Sequence, residues 1–425
     1  MTNSPDSQNY LVDGIPPVDV ATPSTEEELC DIVASANNDG LGIIPWGGGT
    51  RVALGNTPER PCLVLDMTNL NRVVSHNYAD LTASFQAGAS SGFVSEVLAQ
   101  QGQFLPIDPP IPSRATIGGT LAAAVSGPLK WHFGHPRDTV IGMKVVQPDG
   151  AITKSGGQVV KNVSGYDMSR LHIGGIGSLG IILEASFKLT PIPMYEKTLI
   201  ASFGSVEEVV DASMRVFNSY VMPLAMIVFD PRVASHAGLD EGIARHHLAV
   251  RLGGRPRTLA RQVDEISTIL DAAGAFLQRD SEGPSPSVWR PLSDFGWSPE
   301  ATPILNIRIT ALPSRICDIL RMISRLRDSD LEPAALAEPG FGTVEASWFG
   351  PSDTPADPLI TMVAKLRKQV SQLGGTAVIQ RCPPDVKARV DVWGEDHLGI
   401  DVMRRMKRLY DPNGIMNPGR FVGRI

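Results

Sequence analysis

The alternation of apolar and polar positions organises this chain before any residue chemistry is considered. In residues 17–40, "PVDVATPSTEEELCDIVASANNDG", Leu29, Ile32, Val33 and Ala36 recur at helical spacing. Ser24 or Thr25 offers an N-cap, Glu26 to Glu28 suit the positive end of the helix dipole, and Asn38-Asp39-Gly40 stops it. The apolar run Leu41 to Pro45 follows as a short buried strand, and "CLVLDM" from Cys62 as a second. "TASFQAGASSGFVSEVLAQQG" reads as strand, turn and helix, and Ile182 to Pro193 as a strand ended by proline. Between Phe104 and Gly180 the chain is dense in Gly and Pro, with few long periodic elements.

Beyond Pro193 the texture changes. "TLIASFGSVEEVVDASMRVFNSYVMPLAMIVFD" reads as strand, helix, strand. "HLAVRLGGRPRTLARQVDEISTILDAAGA" and "ILNIRITALPSRICDILRMISRL" each read as strand then helix, and "GTVEASWFG" and "TAVIQRC" as further strands. This alternation predicts an open α+β sheet with helices on one face. The expected division is a first domain over residues 1–193, a second over 194–384, and a C-terminal segment, 385–425, returning to the first.

Composition narrows the classes. A chain of 425 residues, 42% hydrophobic and 20% charged, is that of a globular protein of two or three domains. Its most apolar stretch, Ile117 to Gly127, is too short and too rich in glycine to span a bilayer, so no transmembrane segment is expected. The N-terminus has neither the basic start nor the apolar core of a signal peptide. A net charge of −7 without a dense basic stripe argues against nucleic acid, and "MRRMKRLYD" (Met403 to Asp411) has the spacing of a solvated helix face. The four cysteines form no CxxC pair, which excludes an iron–sulfur cluster or structural zinc built from this chain alone. They suit a reducing compartment, and the cytoplasm is expected.

The first candidate chemistry is "PWGGGT". Successive glycines turn several N–H groups into one concavity and let an anion approach the backbone. A tight turn packed under a neighbouring strand explains the same triplet. Neither GxGxxG nor GxxxxGK[ST] is matched, which disfavours a Rossmann or P-loop site.

Two further glycine-rich blocks follow. One runs through "ATIGGTLA" and "GHPRDTVIGMKVVQPDG", the other is "KNVSGYDMSRLHIGGIGSLGII". In this order and spacing the three blocks resemble the flavin-binding domain of the vanillyl-alcohol-oxidase, or p-cresol methylhydroxylase, flavoprotein family. The "KNVSGYDMSRL" block with "GSLGII" resembles its glycolate oxidase and D-lactate dehydrogenase branch. "VDVWGEDHLGIDVMRRMKRLYDPNGIMNPGRF" is most similar to the FAD-binding subunit of bacterial glycolate oxidases. The cap region matches only in texture. The implied fold class is α+β: a two-subdomain FAD-binding domain of the p-cresol methylhydroxylase type, plus an α+β cap with an antiparallel sheet.

The resemblance implies a division of labour around FAD. Pro45, Trp46, Gly47, Gly48, Gly49 and Thr50 would hold the pyrophosphate, largely through backbone N–H groups. Thr116, Ile117, Gly118 and Gly119 would run beside the ribityl chain and isoalloxazine. Ser126, Gly127 and the loop from Gly134 to Asp138 would continue that wall, and Gly180, Ile181 and Ile182 would pair with the adenine. Asn162, Tyr166 and Asp167 belong to the same block, and Tyr166 with Asp167 also reads as a buried hydrogen-bonded pair that fixes the loop. Many relatives tether the flavin through a histidine near the glycine turn. Here that place holds Trp46, and His135 is the one candidate for attachment, so non-covalent FAD is expected.

Oxidation of a 2-hydroxy acid needs a base for the hydroxyl proton, a cationic clamp for the carboxylate and a flavin to accept hydride. Catalytic subunits of this branch carry an HxGDGNxH-like segment and a GEHG motif, and neither is present; "GEDHLG" (Gly394 to Gly399) imitates the latter too close to the C-terminal tail. His246 and His247 alternate to opposite strand faces, so no metal site is expected. The catalytic residues stay unassigned, with Lys130, His132, Arg137 and Arg308 as candidates. Strand alternation offers Arg308 and Trp348 as cap residues facing the cofactor.

Two main readings follow. In one, the chain is a self-sufficient FAD-linked oxidoreductase. In the other, it is the FAD-binding subunit of a glycolate oxidase-like complex with a second flavoprotein and an iron–sulfur subunit, held at the inner membrane through those partners. A non-catalytic accessory role and a scaffold that has lost its flavin stand behind these, as does a sugar-nucleotide or polyol oxidoreductase of the same fold.

Overall fold

The first helix, Glu26–Asn38, forms where its pattern places it, and Thr25 is its cap: the Thr25 hydroxyl accepts from the Glu28 N–H at 3.1 Å. Glu28 in turn accepts from the Ser24 N–H at 2.7 Å, so both candidate residues serve the same helix start. The computed structural model describes residues 7–157, 166–239, 245–282, 286–299, 302–327, 330–394 and 398–425. The chain falls into two units. One comprises Met1–Ser126, Gly134–Ile192 and Lys387–Ile425, and the other Gly127–Phe133 with Pro193–Val386.

The first unit holds two sheets. A parallel sheet orders Asp19–Ala21, Leu63–Asp66 and Ile43–Trp46. An antiparallel sheet orders Val73–Asn77, Thr82–Gln86, Ile181–Lys188, Val140–Val146 and Ile152–Gly156. The strand Ile181–Lys188 belongs to two cores at once. Ile182, Ala185 and Phe187 pack with Phe85, Leu98 and Leu121, while Ile181 and Leu183 pack with Leu29, Val33 and Leu65. Burial on both sides explains why this strand opens on three consecutive apolar residues, Ile181, Ile182 and Leu183. Ile415 and Met416 of the C-terminal segment enter the second of those cores. The Ile43 N–H donates to the Ile415 carbonyl at 2.7 Å, and the Asn417 N–H to the Ile43 carbonyl at 2.8 Å.

The second unit is built on an eight-stranded antiparallel sheet. Its spatial order is Leu277–Glu282, Tyr195–Phe203, His246–Gly254, Ala225–Phe229, Glu332–Glu338, Thr343–Phe349, Leu305–Thr310 and Thr376–Arg381. On one face, Ile200, Ile227, Phe229, Ala249 and Leu336 are covered by Val233 and Ala234 of helix Pro231–His236 and by Trp289 and Leu292 of helix Pro286–Asp294. The alternating neighbours Leu199, Met226, Val228, Leu248 and Val250 are equally buried. Both faces are therefore covered in this half of the sheet, which replaces the expectation of helices on one face.

The seven-residue excursion Gly127–Phe133 is the other departure, because it packs with the second unit from within the first domain's stretch of sequence. Its anchors are aromatic and ionic. Trp131 meets Phe217 and Phe341 edge-on at 5.6 and 6.2 Å, and Lys130 pairs with Glu338.

Truncation of the strand shared by the two cores tests this account. Phe187→Ala is expected to cost about 3–5 kcal/mol, read as a shift of the denaturant midpoint for the first unit. A loss within experimental error would show that the Phe187 site collapses freely and that the two cores are not coupled there.

Candidate functional site

Four chain segments supply most of the lining of a cleft in the first unit, with Met67 and Ala87 added from elsewhere. The four are the turn after strand Ile43–Trp46, the start of helix Ile117–Ala122, the start of strand Ile181–Lys188, and the C-terminal residues Asn417 and Arg420. Two adjoining cavities share Pro45, Trp46, Gly47, Thr116, Gly119, Ala122 and Ile176 as lining, so together they form one elongated cleft.

The glycine triplet is a packed element. A Cβ on Gly47 would fall on the Thr116 hydroxyl, and one on Gly48 would fall on the Arg114 carbonyl. Gly49 takes φ +69°, the left-handed region, with the Trp46 ring beneath it. The Arg114 guanidinium donates to the Gly48 carbonyl at 2.9 Å and ties the two backbones from the other side. The packed-turn and the cradle accounts therefore describe the same residues, because the packing fixes the surface that the cleft exposes.

The "TIGG" stretch is the first turn of a helix. Thr116 is its N-cap, accepting from the Gly119 N–H at 3.2 Å, and Gly118 is seated against Ala87. At the far end, a Cβ on Gly180 would press on Val145, the Val146 carbonyl and the His172 ring. His172 is buried, and its Nδ1 has no hydrogen-bond partner among the described residues. Burial pushes its pKa down to about 4, so the imidazole is neutral.

Of the residues implicated by the resemblance, Pro45, Trp46, Gly47, Gly48, Gly49, Thr50, Thr116, Gly118, Gly119, Gly180, Ile181 and Ile182 line the cleft. The Ile117 side chain is instead buried in the core. Ser126 and Gly127 lie outside the lining, and Gly127 belongs to the second unit. Gly134 and Asp138 are also outside it and serve each other. Gly134 takes φ +80° against the Asp138 carboxylate, which accepts from the His135 N–H at 2.8 Å. Arg137 stands exposed, 3.8 Å from Asp138. Tyr166 is 93% exposed and Asp167 pairs with Arg170 at the surface, so the buried Tyr166–Asp167 pair is not formed. Asn162 and His397 lie outside the described residues.

Sequence reasoning missed Met67, Ala87, Ile176, Asn417 and Arg420 in the lining. The available signal was "MNPGR", where polar side chains flank a Pro-Gly turn. The cleft suits FAD on the chemistry of its donors. Glycines expose backbone beside Thr50 and Thr116 hydroxyls, the buried Arg420 cation lies at one side, and an apolar stretch of Met67, Ala87 and Ile182 continues from them.

The second unit carries its own polar array, on one sheet face. Cross-strand register puts Arg308 beside Glu345, and Asn306 beside both Ser347 and Arg381. Arg308 Nε donates to Glu345 Oε1 at 2.5 Å, and Asn306 Nδ2 to Ser347 Oγ at 3.0 Å. Lys130 reaches Glu338 from the excursion segment. Burial raises the Glu338 pKa, and Lys130 and Arg308 hold it back. Two of the candidate cations, Lys130 and Arg308, are thus already neutralised by carboxylates. His132 sits edge-on to Phe133. Trp348 is fully buried with its Nε1 donating to the Leu326 carbonyl, and it points to the face opposite Arg308. Arg381 is different: no carboxylate among the described residues pairs with it, and its guanidinium lies 5.4 Å from the Trp297 ring centre. The stretch "EPGFGTVE", Glu338 to Glu345, has the glycine frame of HxGDGNxH with glutamate at both histidine positions. A search for histidines passes over it. Among the described residues no His/Cys/Asp/Glu cluster has the geometry of a metal site.

The family model described as FAD binding domain matches residues 17–156, and that of the C-terminal domain of FAD linked oxidases matches residues 393–421. The glycolate oxidase subunit GlcD of Bacillus subtilis is 25% identical over 415 residues, covering 95% of this chain and 88% of the relative. The mitochondrial D-lactate dehydrogenase [cytochrome] of Arabidopsis thaliana is 26% identical over 441 residues, covering 98% and 75%. The D-2-hydroxyglutarate dehydrogenase of Xanthomonas citri is 25% identical over 439 residues, covering 95% and 89%. Among solved structures, p-cresol methylhydroxylase with substrate bound superposes with a TM-score of 0.76 at 18% identity, over 95% of this chain and 88% of the other.

Two predictions follow from the site's packing and burial. Gly48→Ala and Gly48→Asp should both lose flavin, read as flavin absorbance per mole of protein, because the Arg114 carbonyl excludes any Cβ. Loss confined to the aspartate would assign the effect to charge alone. The folded pKa of His172 lies below the ordinary value of 6.5, so the unfolded chain takes up the proton first. Stability is complete above pH 6.5 and falls as the pH drops towards 4, by roughly 3 kcal/mol for this group. Denaturant titrations at both ends of that window should show this loss in the wild type and a flatter profile in His172→Gln. Equal slopes would remove His172 as the cause.

Proposed function

We propose, from the premise that the chain is an FAD-linked oxidoreductase of the glycolate oxidase and D-lactate dehydrogenase family, that it dehydrogenates a small 2-hydroxy acid, glycolate or a near relative, to the 2-oxo acid. The observation that carries this reading is Arg381, a partly buried guanidinium with no carboxylate partner among the described residues, set beside the buried Asn306 Oδ1, which has no hydrogen-bond partner there either. Burial lowers the Arg381 pKa, the mark of a cation short of counter-charge. An incoming carboxylate supplies that charge, and a guanidinium binds it through two parallel N–H bonds.

The remaining roles follow from the same array. FAD, when bound, supplies the acceptor for hydride. Glu338, with its pKa raised by burial, is the carboxylate suited to take the hydroxyl proton, and Lys130 stabilises its charged form. Arg308 and Glu345 compensate each other and hold that neighbourhood without adding net charge. The cap thereby does with ion-paired carboxylates what a histidine cluster would do with a metal.

Electrons then leave the chain. Its four cysteines are unbridged and scattered, which supports an external acceptor such as an iron–sulfur subunit. The glycolate oxidase subunit among the relatives supports assembly with partners, and a second flavoprotein is proposed as one of them. No helix of the described residues is long and apolar enough to cross a membrane. In this reading the protein is cytoplasmic and meets the inner membrane only through those partners.

Anaerobic addition of glycolate or D-lactate to the purified chain should bleach its flavin absorbance. Arg381→Met should retain flavin and weaken the apparent affinity for the acid by about 100-fold, in line with loss of one partner of a desolvated charge pair. Flavin that stays oxidised with every 2-hydroxy acid until a partner is added would replace this reading with the accessory one.

A further inference from the structure

The C-terminal segment sends three buried cations towards the cofactor cleft, and they are not alike. Lys387 Nζ, fully buried, donates to the Asp13 carboxylate at 2.6 Å and to the Ala53 carbonyl at 2.7 Å. Lys407 Nζ donates to the Ser178 and Met416 carbonyls at 2.8 and 2.7 Å, and pairs with Asp411 at 2.8 Å. Each lysine therefore has its own carboxylate.

Arg420 has none among the described residues. Its guanidinium donates to the Val52 and Leu54 carbonyls at 2.5 and 2.6 Å, and more loosely to the Asn56 carbonyl and the Asn417 side chain at 3.4 and 3.3 Å. Those acceptors are neutral. The acid that acts on it electrostatically is Asp13, which is already engaged by Lys387. At 3% exposure Arg420 is a buried cation, and burial lowers its pKa. A charge removed from water without a counter-ion is costly, and folding alone does not explain its retention. It lines the cleft together with Gly47, Gly48, Gly49 and Thr50.

We propose that Arg420 is the counter-charge of the FAD pyrophosphate: it closes the Val52–Asn56 loop over the glycine turn and contributes the positive potential that holds the anion there. This rests on the FAD reading of the cleft. The backbone N–H groups of the turn give direction to the anion but no net charge, and Arg420 adds that charge from a segment more than 360 residues away in sequence. The anion in turn relieves the buried cation, so cofactor and C-terminal segment stabilise each other by linkage.

The test compares the flavin-free and flavin-loaded full chain. Arg420→Gln should weaken FAD retention by at least about 30-fold and lower the melting temperature of the flavin-loaded protein by more than that of the flavin-free protein. Inorganic pyrophosphate should raise the melting temperature of the flavin-free wild type and have no effect on that variant. Arg420→Lys, which keeps the charge and loses the fork, should fall between the two in FAD affinity. A flavin-free Arg420→Gln that is destabilised as much as the loaded form would overturn the proposal and leave Arg420 a structural latch. So would wild-type affinity for FAD in that variant, or affinity equally low in Arg420→Lys. Failure of the underlying reading looks different, since the wild type itself would then bind no FAD.

Discussion

The close approach of two backbones, the turn at Gly47-Gly48-Gly49 and the segment from Arg114 to Gly119, is the contact on which the cleft depends. The Arg114 carbonyl and the Thr116 hydroxyl occupy the space that side chains on Gly48 and Gly47 would need. Only a turn without Cβ atoms can close to that distance on the Arg114–Thr116 segment. The approach brings the strand end at Trp46 beside the helix start at Thr116, so two sets of N–H groups border the same cavity. Gly180 repeats the device at the other end, where the strand Ile181–Lys188 leaves both cores.

Cations reaching main-chain carbonyls then hold the loops that such approaches create. The loop from Thr50 to Asn56 buries Leu54 and packs Val52 on a small apolar cluster, and Lys387 and Arg420 together engage the carbonyls of residues 52, 53, 54 and 56. Lys407 does the same for Ser178, and Asn417 for Ile176, on the opposite side of the cleft. Buried ionic groups of this kind add little net stability compared with apolar packing. Their value lies in fixing one geometry, which a site reading a cofactor through its backbone requires.

These two kinds of interaction differ in how they appear in a sequence. A close backbone approach leaves glycine as its trace, so "GGG", "IGG" and the glycine before "IIL" marked the cleft without coordinates. Likewise Thr25, with Glu28 three residues on, marked a helix start. A cation held by carbonyls leaves no trace, because every residue has a carbonyl: Arg420 is an arginine after a Pro-Gly turn until its acceptors are seen. The excursion Gly127–Phe133 was hidden for a related reason. "GPLKWHF" reads as part of the Gly- and Pro-rich stretch around it, and only the contacts of Lys130 and Trp131 show which unit it serves. Tyr166 shows the reverse error, since an aromatic beside an acid in a motif-like block invites a buried reading, and the ring is in solvent.

The cap array extends this to chemistry. Glu338 and Glu345 keep the seven-residue separation and the two intervening glycines of a histidine motif, yet each faces a cation, Lys130 or Arg308. A pair of carboxylates in that frame without those cations would repel each other and raise each other's pKa. With them, the four charges sum to zero, and Arg381 is left to set the charge of whatever the face accepts. Two buried glutamates in that frame therefore need compensating cations, and these come from a neighbouring strand and from a segment far away in sequence. That the chain supplies both, and leaves a second guanidinium, Arg381, without a carboxylate among the described residues on the same face, is what supports the proposal that the array accepts an anion.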